Sequence, residues 1–129
     1  MPAILIVDDE PPIRALLSAV FVRAGYEVQV ASDGMEAMAV CAAHAFDVLL
    51  SDIAMPQMNG HELAQWVAVN YPATRTVLMS GFDAGCQRCA YSPRCHVVSK
   101  PFLPREVLRV VEGALGWSDV VMPQAVYHT

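Results

Sequence analysis

Apolar residues occur along this chain in short unbroken blocks, separated by stretches in which they recur every three or four positions. Ala3 to Val7 reads A-I-L-I-V without alternation, the pattern of a strand covered on both faces in a parallel sheet. The run stops at Asp8, Asp9 and Glu10. Pro11 and Pro12 fit a first helical turn, where a missing N–H costs nothing, and Ile13, Leu16, Leu17, Val20, Phe21 and Ala24 form the stripe that follows. Gly25 closes this helix. Glu27 to Ala31 is a second short strand. Asp33 and Glu36, spaced as in a capping box, open a helix to about His44 with Met35, Met38, Ala39 and Ala42 on one side. Val48 to Leu50 is a third strand, ending at Ser51-Asp52, and Pro56 to Gly60 punctuates before a helix bearing Leu63, Trp66 and Val67. Thr76 to Met79 and His96 to Ser99 are the fourth and fifth strands. Pro104 opens a last helix with Val107, Leu108, Val111, Ala114 and Leu115 inward.

Strands alternating with helices at this spacing predict an α/β fold: a doubly wound, five-stranded parallel sheet with right-handed crossovers and helices on both faces. One unit is irregular. Phe82 to Arg94 holds Gly85, Pro93, Cys86 and Cys89 without an amphipathic stripe, so the fourth helix is expected to be short or irregular. Residues 1–116 read as one domain, and 117–129 as a tail without its own fold.

Composition narrows this picture. With 129 residues, 55% of them hydrophobic and 16% charged, the chain can bury a substantial core, which excludes disorder. No apolar run reaches the about 20 residues needed to cross a bilayer, and the first residues lack the features of a signal peptide. The expectation is a cytoplasmic protein without a membrane partner. The net charge of −5 argues against direct nucleic acid binding. Lys100 is the only lysine beside seven arginines.

In a doubly wound sheet the carboxyl ends of the strands lie along one edge, where ligands bind. Asp8 and Asp9 follow strand one, Asp52 ends strand three, Ser80 follows strand four and Lys100 follows strand five. An isolated Asp in such a place is usually a cap or turn residue, and a lone Lys is usually surface. All five at strand ends are not explained that way. Carboxylates sharing one pocket must hold protons or share a cation, and hard oxygen ligands favour Mg²⁺, with Mn²⁺ able to substitute. Asp52 is then free to act as a nucleophile, with Lys100 a fixed positive charge and Ser80 a hydroxyl donor. That arrangement suits phosphoryl transfer.

The segments I-L-I-V-D-D-E (Ile4 to Glu10), L-L-S-D-I-A-M-P-Q-M-N-G (Leu49 to Gly60), V-L-M-S-G (Val77 to Gly81) and V-S-K-P-F (Val98 to Phe102) resemble the receiver domain of two-component response regulators. The resemblance runs from about Ala3 to Leu115. It implies a flavodoxin-like fold with strand order 2-1-3-4-5. It also implies that Asp52 accepts a phosphoryl group from a phosphohistidine on a sensor histidine kinase or histidine phosphotransfer protein. Asp9 would ligate Mg²⁺ directly, Asp8 largely through water, and the backbone carbonyl of Ala54 would complete the protein's ligands. Lys100 would contact the phosphoryl oxygens, Ser80 would close onto them, and Lys100-Pro101 would be a cis peptide. Such a domain catalyses its own phosphorylation and slow dephosphorylation, although it is not a conventional enzyme. Its output would be contact with a downstream protein target, as a monomer or a phosphorylation-dependent dimer.

Two departures stand out. Val97 occupies the place of an aromatic that reports the Ser80 movement in many receivers, leaving Phe82, Tyr91 or the loop itself to do so. Cys86, Cys89 and Cys95 with His96 replace the usual fourth helix; they are either free thiols or ligands for Zn²⁺ or an iron–sulfur cluster. Cys41 reads as a small buried hydrophobe, and Met35 and Met38 as core. Three other readings compete with this one. A flavodoxin-like electron carrier needs a phosphate-cradling loop where Asp8 to Glu10 stand. An aspartyl phosphohydrolase needs a second acid where Ala54 stands. A degenerate receiver would act as a docking or metal- or redox-sensing module through its cysteine loop.

Overall fold

The apolar run near the start of the chain becomes an inner strand of a fully parallel sheet. The computed structural model describes residues 1–80 and 95–116, with Cys95 and His96 in their backbone only. The strands are β1 (Ala3–Val7), β2 (Glu27–Ala31), β3 (Val48–Asp52), β4 (Arg75–Ser80) and β5 (Cys95–Ser99). The helices among the described residues are α1 (Pro11–Arg23), α2 (Gly34–Ala43), α3 (Gly60–Asn70) and α4 (Pro104–Ala114). The sheet order is β2-β1-β3-β4-β5, as expected. The irregular fourth helix, the tail, and the residues Phe82, Cys86, Cys89 and Tyr91 fall outside the described residues.

Because successive side chains on a strand point to opposite faces, each inner strand feeds two cores. Ile4, Ile6, Val48, Leu50, Val77, Met79 and Val98 pack beneath α1 and α4, meeting Leu17, Phe21, Val107, Val111 and Ala114. Leu5, Val7, Ala31 and Leu49 pack on the other face against Ala37, Cys41, Leu63 and Val67 of α2 and α3. That two-sided burial is why these strands show no polar alternation.

The helix boundaries follow local chemistry. Pro11 and Pro12 open α1, and Gly25 ends it at φ 94°, a left-handed conformation that glycine adopts without steric cost. The Tyr26 N–H bonds the Phe21 carbonyl and the Gly25 N–H bonds the Val22 carbonyl, the paired closure of a Schellman motif. At α2 the expected capping pair is half realised. The Glu36 N–H donates to Asp33, but the Glu36 carboxylate accepts from the N–H and hydroxyl of Ser32, one residue earlier than in a capping box. Those bonds from Ser32 hold the Glu36 carboxyl below its ordinary range. Asn59 and Glu62 form the reciprocal capping box of α3.

Two expected helix faces are corrected. On α2 the inward residues are Gly34, Ala37 and Cys41, with Met38 partly buried; Met35 is 59% exposed, and Ala39 and Ala42 also face out. At Gly34 no side chain fits, because Met58, from the segment after β3, lies directly against it and even a Cβ would meet its sulfur at 2.7 Å. On α1, Leu16 (43% exposed) and Ala24 lie outside the stripe that buries Leu17 and Phe21. Cys41 is buried as expected, which pushes its thiol pKa up. Trp66 is half-buried, edge-on to Tyr71 with ring centroids 5.6 Å apart.

Candidate functional site at the carboxyl edge

The parallel register brings the strand ends together. Val7 lies beside Ser51, Asp52 beside Met79, and Ser80 beside Ser99. Asp8 therefore emerges from β1, Asp52 ends β3, Ser80 ends β4 and Lys100 follows β5, along one edge of the sheet. The Lys100 N–H donates to the Ser80 carbonyl at 2.7 Å, tying the last two together. Lys100-Pro101 is cis.

Asp8, Asp52 and Lys100 hold one another in this pocket. Asp8 is fully buried; its carboxylate accepts from the Glu10 N–H at 2.9 Å and from Lys100 Nζ at 3.2 Å. Lys100 Nζ also lies 3.4 Å from Asp52, so one ammonium bridges two acids. Asp9 is exposed, and oxygens of Asp8, Asp9 and Asp52 all lie within 4.8 Å of one another. Burial first, and then the Asp8 charge, push the Asp52 carboxyl above its ordinary range; Lys100 opposes both and Asp9 adds to them. Burial pulls Lys100 down, but attraction to Asp8 and Asp52 outweighs it and the ammonium ends above its ordinary value.

Three ionised carboxylates against one ammonium leave two negative charges uncompensated, the charge of one divalent cation. Oxygens about 2.1 Å from an octahedral Mg²⁺ cannot be more than about 4.2 Å apart, so the observed cluster needs only small rotations to converge on one. The donor set is all oxygen, as a hard cation requires. The acidic cluster is compatible with Mg²⁺.

The segment after β3 is anchored at both ends. Met55 is buried and Met58 packs against the cluster beneath α2 and α3. Between them the Met58 N–H bonds the Pro56 carbonyl at 2.7 Å around Gln57, whose φ of 71° makes a tight three-residue turn. Gly60 then brings the start of α3 onto the backbone of Asp52 and Ile53, its N–H donating to the Ile53 carbonyl at 2.8 Å. Ala54 sits exposed in this segment, two residues beyond Asp52.

Sequence reasoning singled out Asp8, Asp9, Asp52, Ser80 and Lys100, and the fold gathers these five residues, from four strand ends, on one edge. It missed the Arg14 guanidinium, which donates to the Asp8 carbonyl at 2.7 Å. It read Gly60 as punctuation only. Arg14 carries no local signal beyond lying on the first turns of the helix that follows Asp8. Val97, on β5, is 36% exposed, so it points toward solvent and not into the core. Of the proposed cysteine and histidine ligands, Cys86 and Cys89 lie outside the described residues, and of Cys95 and His96 only the β5 backbone is described. Among the described residues Asp8, Asp9 and Asp52 form the only metal-capable cluster, and no helix is long and apolar enough to cross a membrane.

Comparison with known proteins identifies the family of the chain. The response regulator receiver domain profile matches residues 4–112. The chain belongs to that family. It is 36% identical over 101 residues to the sensor histidine kinase RcsC of Salmonella typhimurium, covering 76% of this chain and 10% of that one. It is 32% identical to the DNA-binding dual master transcriptional regulator RpaA of Synechocystis, covering 100% of this chain and 55% of that one. The chain thus spans little more than half, or much less, of these relatives. Among solved structures, the Vibrio cholerae chemotaxis protein CheY4 superposes with a TM-score of 0.81 at 31% identity, covering 88% of this chain and 98% of that one. The Thermotoga maritima response regulator TrrA, in complex with Mg²⁺ and BeF, superposes at 0.79 with 30% identity, covering 88% and 99%. These relatives lend the cysteine-loop reading no support.

Proposed function

We propose that this chain is a phosphoacceptor switch in a two-component relay, with Asp52 taking a phosphoryl group from a phosphohistidine on a sensor histidine kinase or phosphotransfer protein. The observation that carries this reading is the buried Asp52 carboxylate, 3.4 Å from Lys100 Nζ and clustered with Asp8 and Asp9. An oxygen of Asp52 attacks phosphorus in line; the new O–P bond forms as the donor's N–P bond breaks, and the imidazole leaves with the electron pair. Transfer of this kind needs positioning and neutralised phosphoryl oxygens more than it needs a strong base. Lys100 supplies a fixed positive charge there, and the Ser80 hydroxyl donates to a phosphoryl oxygen after transfer. Mg²⁺, held by Asp8, Asp9, Asp52 and the Ala54 carbonyl, supplies the remaining charge neutralisation when bound; TrrA, solved with Mg²⁺ and BeF, supports this assignment.

Movement of Ser80 toward phosphoryl oxygens draws the segment after β4 with it and alters a surface read by a downstream protein. Residues 1–116 constitute the switch, working in the cytoplasm. The test is incubation with acetyl phosphate and Mg²⁺ followed by intact mass. The wild type gains one phosphoryl group, and Asp52→Ala gains none. A wild type that stays unmodified, or an Asp52→Ala variant that is modified equally, overturns the proposal.

A further inference from the structure

We propose that Arg14 is a positioning residue for the cation site, acting through the backbone of Asp8; this rests on the function proposed above. Asp8 is held at its backbone as well as its carboxylate. Its N–H donates to the Ala31 carbonyl at 3.2 Å, and its own carbonyl accepts from the Arg14 guanidinium at 2.7 Å. The Asp8 carbonyl belongs to the peptide plane that joins Asp8 to Asp9. That plane is rigid, so fixing the carbonyl fixes the direction in which the Asp9 Cα leaves it. Asp9 is exposed, where its side chain would otherwise sample several rotamers from a mobile base.

Arg14 is suited to the task by its place. It lies on the first turns of α1, where its own N–H bonds the Glu10 carbonyl at 3.2 Å, so the guanidinium reaches back over a short, closed path. It is half-buried, and its charge also acts on Glu36 at the start of α2.

Charge and geometry predict opposite signs here. A guanidinium near the cluster repels a bound cation, so if Arg14 acted by charge alone its removal would tighten Mg²⁺ binding. If it acts by holding the Asp8-Asp9 peptide, removal weakens binding, and outer-shell partners of metal ligands typically alter affinity by about 10- to 100-fold.

The experiment is calorimetric titration of the unphosphorylated protein with MgCl₂, for wild type, Arg14→Met and Arg14→Lys, with Arg23→Ala as a control at the far end of α1. Met keeps the apolar stem and the helix propensity while removing every donor. The expected result is a dissociation constant raised about 10-fold in Arg14→Met, recovered to within about threefold in Arg14→Lys, and unchanged in Arg23→Ala. Maximal phosphorylation by acetyl phosphate at saturating Mg²⁺ stays near wild type in Arg14→Met. Mg²⁺ affinity that is unchanged or tighter in Arg14→Met overturns the proposal, as does equal weakening by Met and Lys, or loss of maximal rate with affinity intact. A wild type that binds Mg²⁺ but gains no phosphoryl group removes the proposed function and leaves the Arg14 result readable.

Discussion

Gly60→Ala and Gly113→Ala make the same chemical change in two helices and should move stability in opposite directions. At Gly60 a Cβ would land on the Asp52 carbonyl oxygen and lie 2.9 Å from the Ile53 Cα. Both are backbone atoms at the buried end of β3, so neither can swing aside. Overpacking of this kind costs about 1–3 kcal/mol, and at the first position of α3, next to the Asn59 cap, alanine recovers at most about 0.5 kcal/mol of helix propensity. The net expectation is destabilisation of roughly 1–2 kcal/mol. At Gly113, inside α4, nothing lies within 4 Å of the new methyl, and alanine should stabilise by about 0.5–1 kcal/mol. Urea unfolding of the two variants beside wild type, compared at equal slopes, reads both numbers. The Asp52 carbonyl belongs to the proposed phosphoacceptor, so Gly60→Ala should also weaken Mg²⁺ binding, while Gly113→Ala leaves it alone. Gly60→Ala as stable as Gly113→Ala would show that the close approach of α3 to β3 is not a constraint.

Lys100→Met removes the only ammonium between Asp8 and Asp52 and should destabilise the cation-free protein by roughly 2–3 kcal/mol at neutral pH, because two buried acids lose their partner; an unchanged urea midpoint would contradict the bridge. The pH dependence follows from Asp52, whose folded pKa is raised above its unfolded value. Its contribution is fully present below the unfolded pKa and is lost as pH rises through the folded one. Without cation, Asp52→Asn should therefore raise Tm at neutral pH, by an amount that shrinks on acidification; saturating Mg²⁺ should remove the advantage, and a gain that grows toward acid pH would refute the assignment. Cys41, buried and with its thiol pKa pushed up, should resist alkylation in the folded protein and react on unfolding, read by peptide mass mapping. Labelling of Cys41 in the native state at the rate of a free thiol would contradict its burial.

The order of elements was legible from local pattern alone, because inner parallel strands must be apolar on both faces and helix ends carry their own capping chemistry. The Ala3 to Val7 run, the prolines of α1 and the Gly25 stop all fall where those rules put them. The acids and the lysine were legible for a related reason: in a parallel sheet, the residue after each strand must emerge on one edge. The face of α2 was not legible. Its residues are apolar almost all round, so periodicity has no contrast to read, and the close approach of Met58 to Gly34 from the segment after β3 leaves no local trace. Arg14 on Asp8 and Gly60 on Asp52 were not legible either, because each contact depends on how the turn from a strand into the next helix closes. Local sequence determines which segments form and what chemistry leaves their ends. Which atoms then touch is decided by packing, since the distances that matter cross between elements and no periodicity along the chain encodes them.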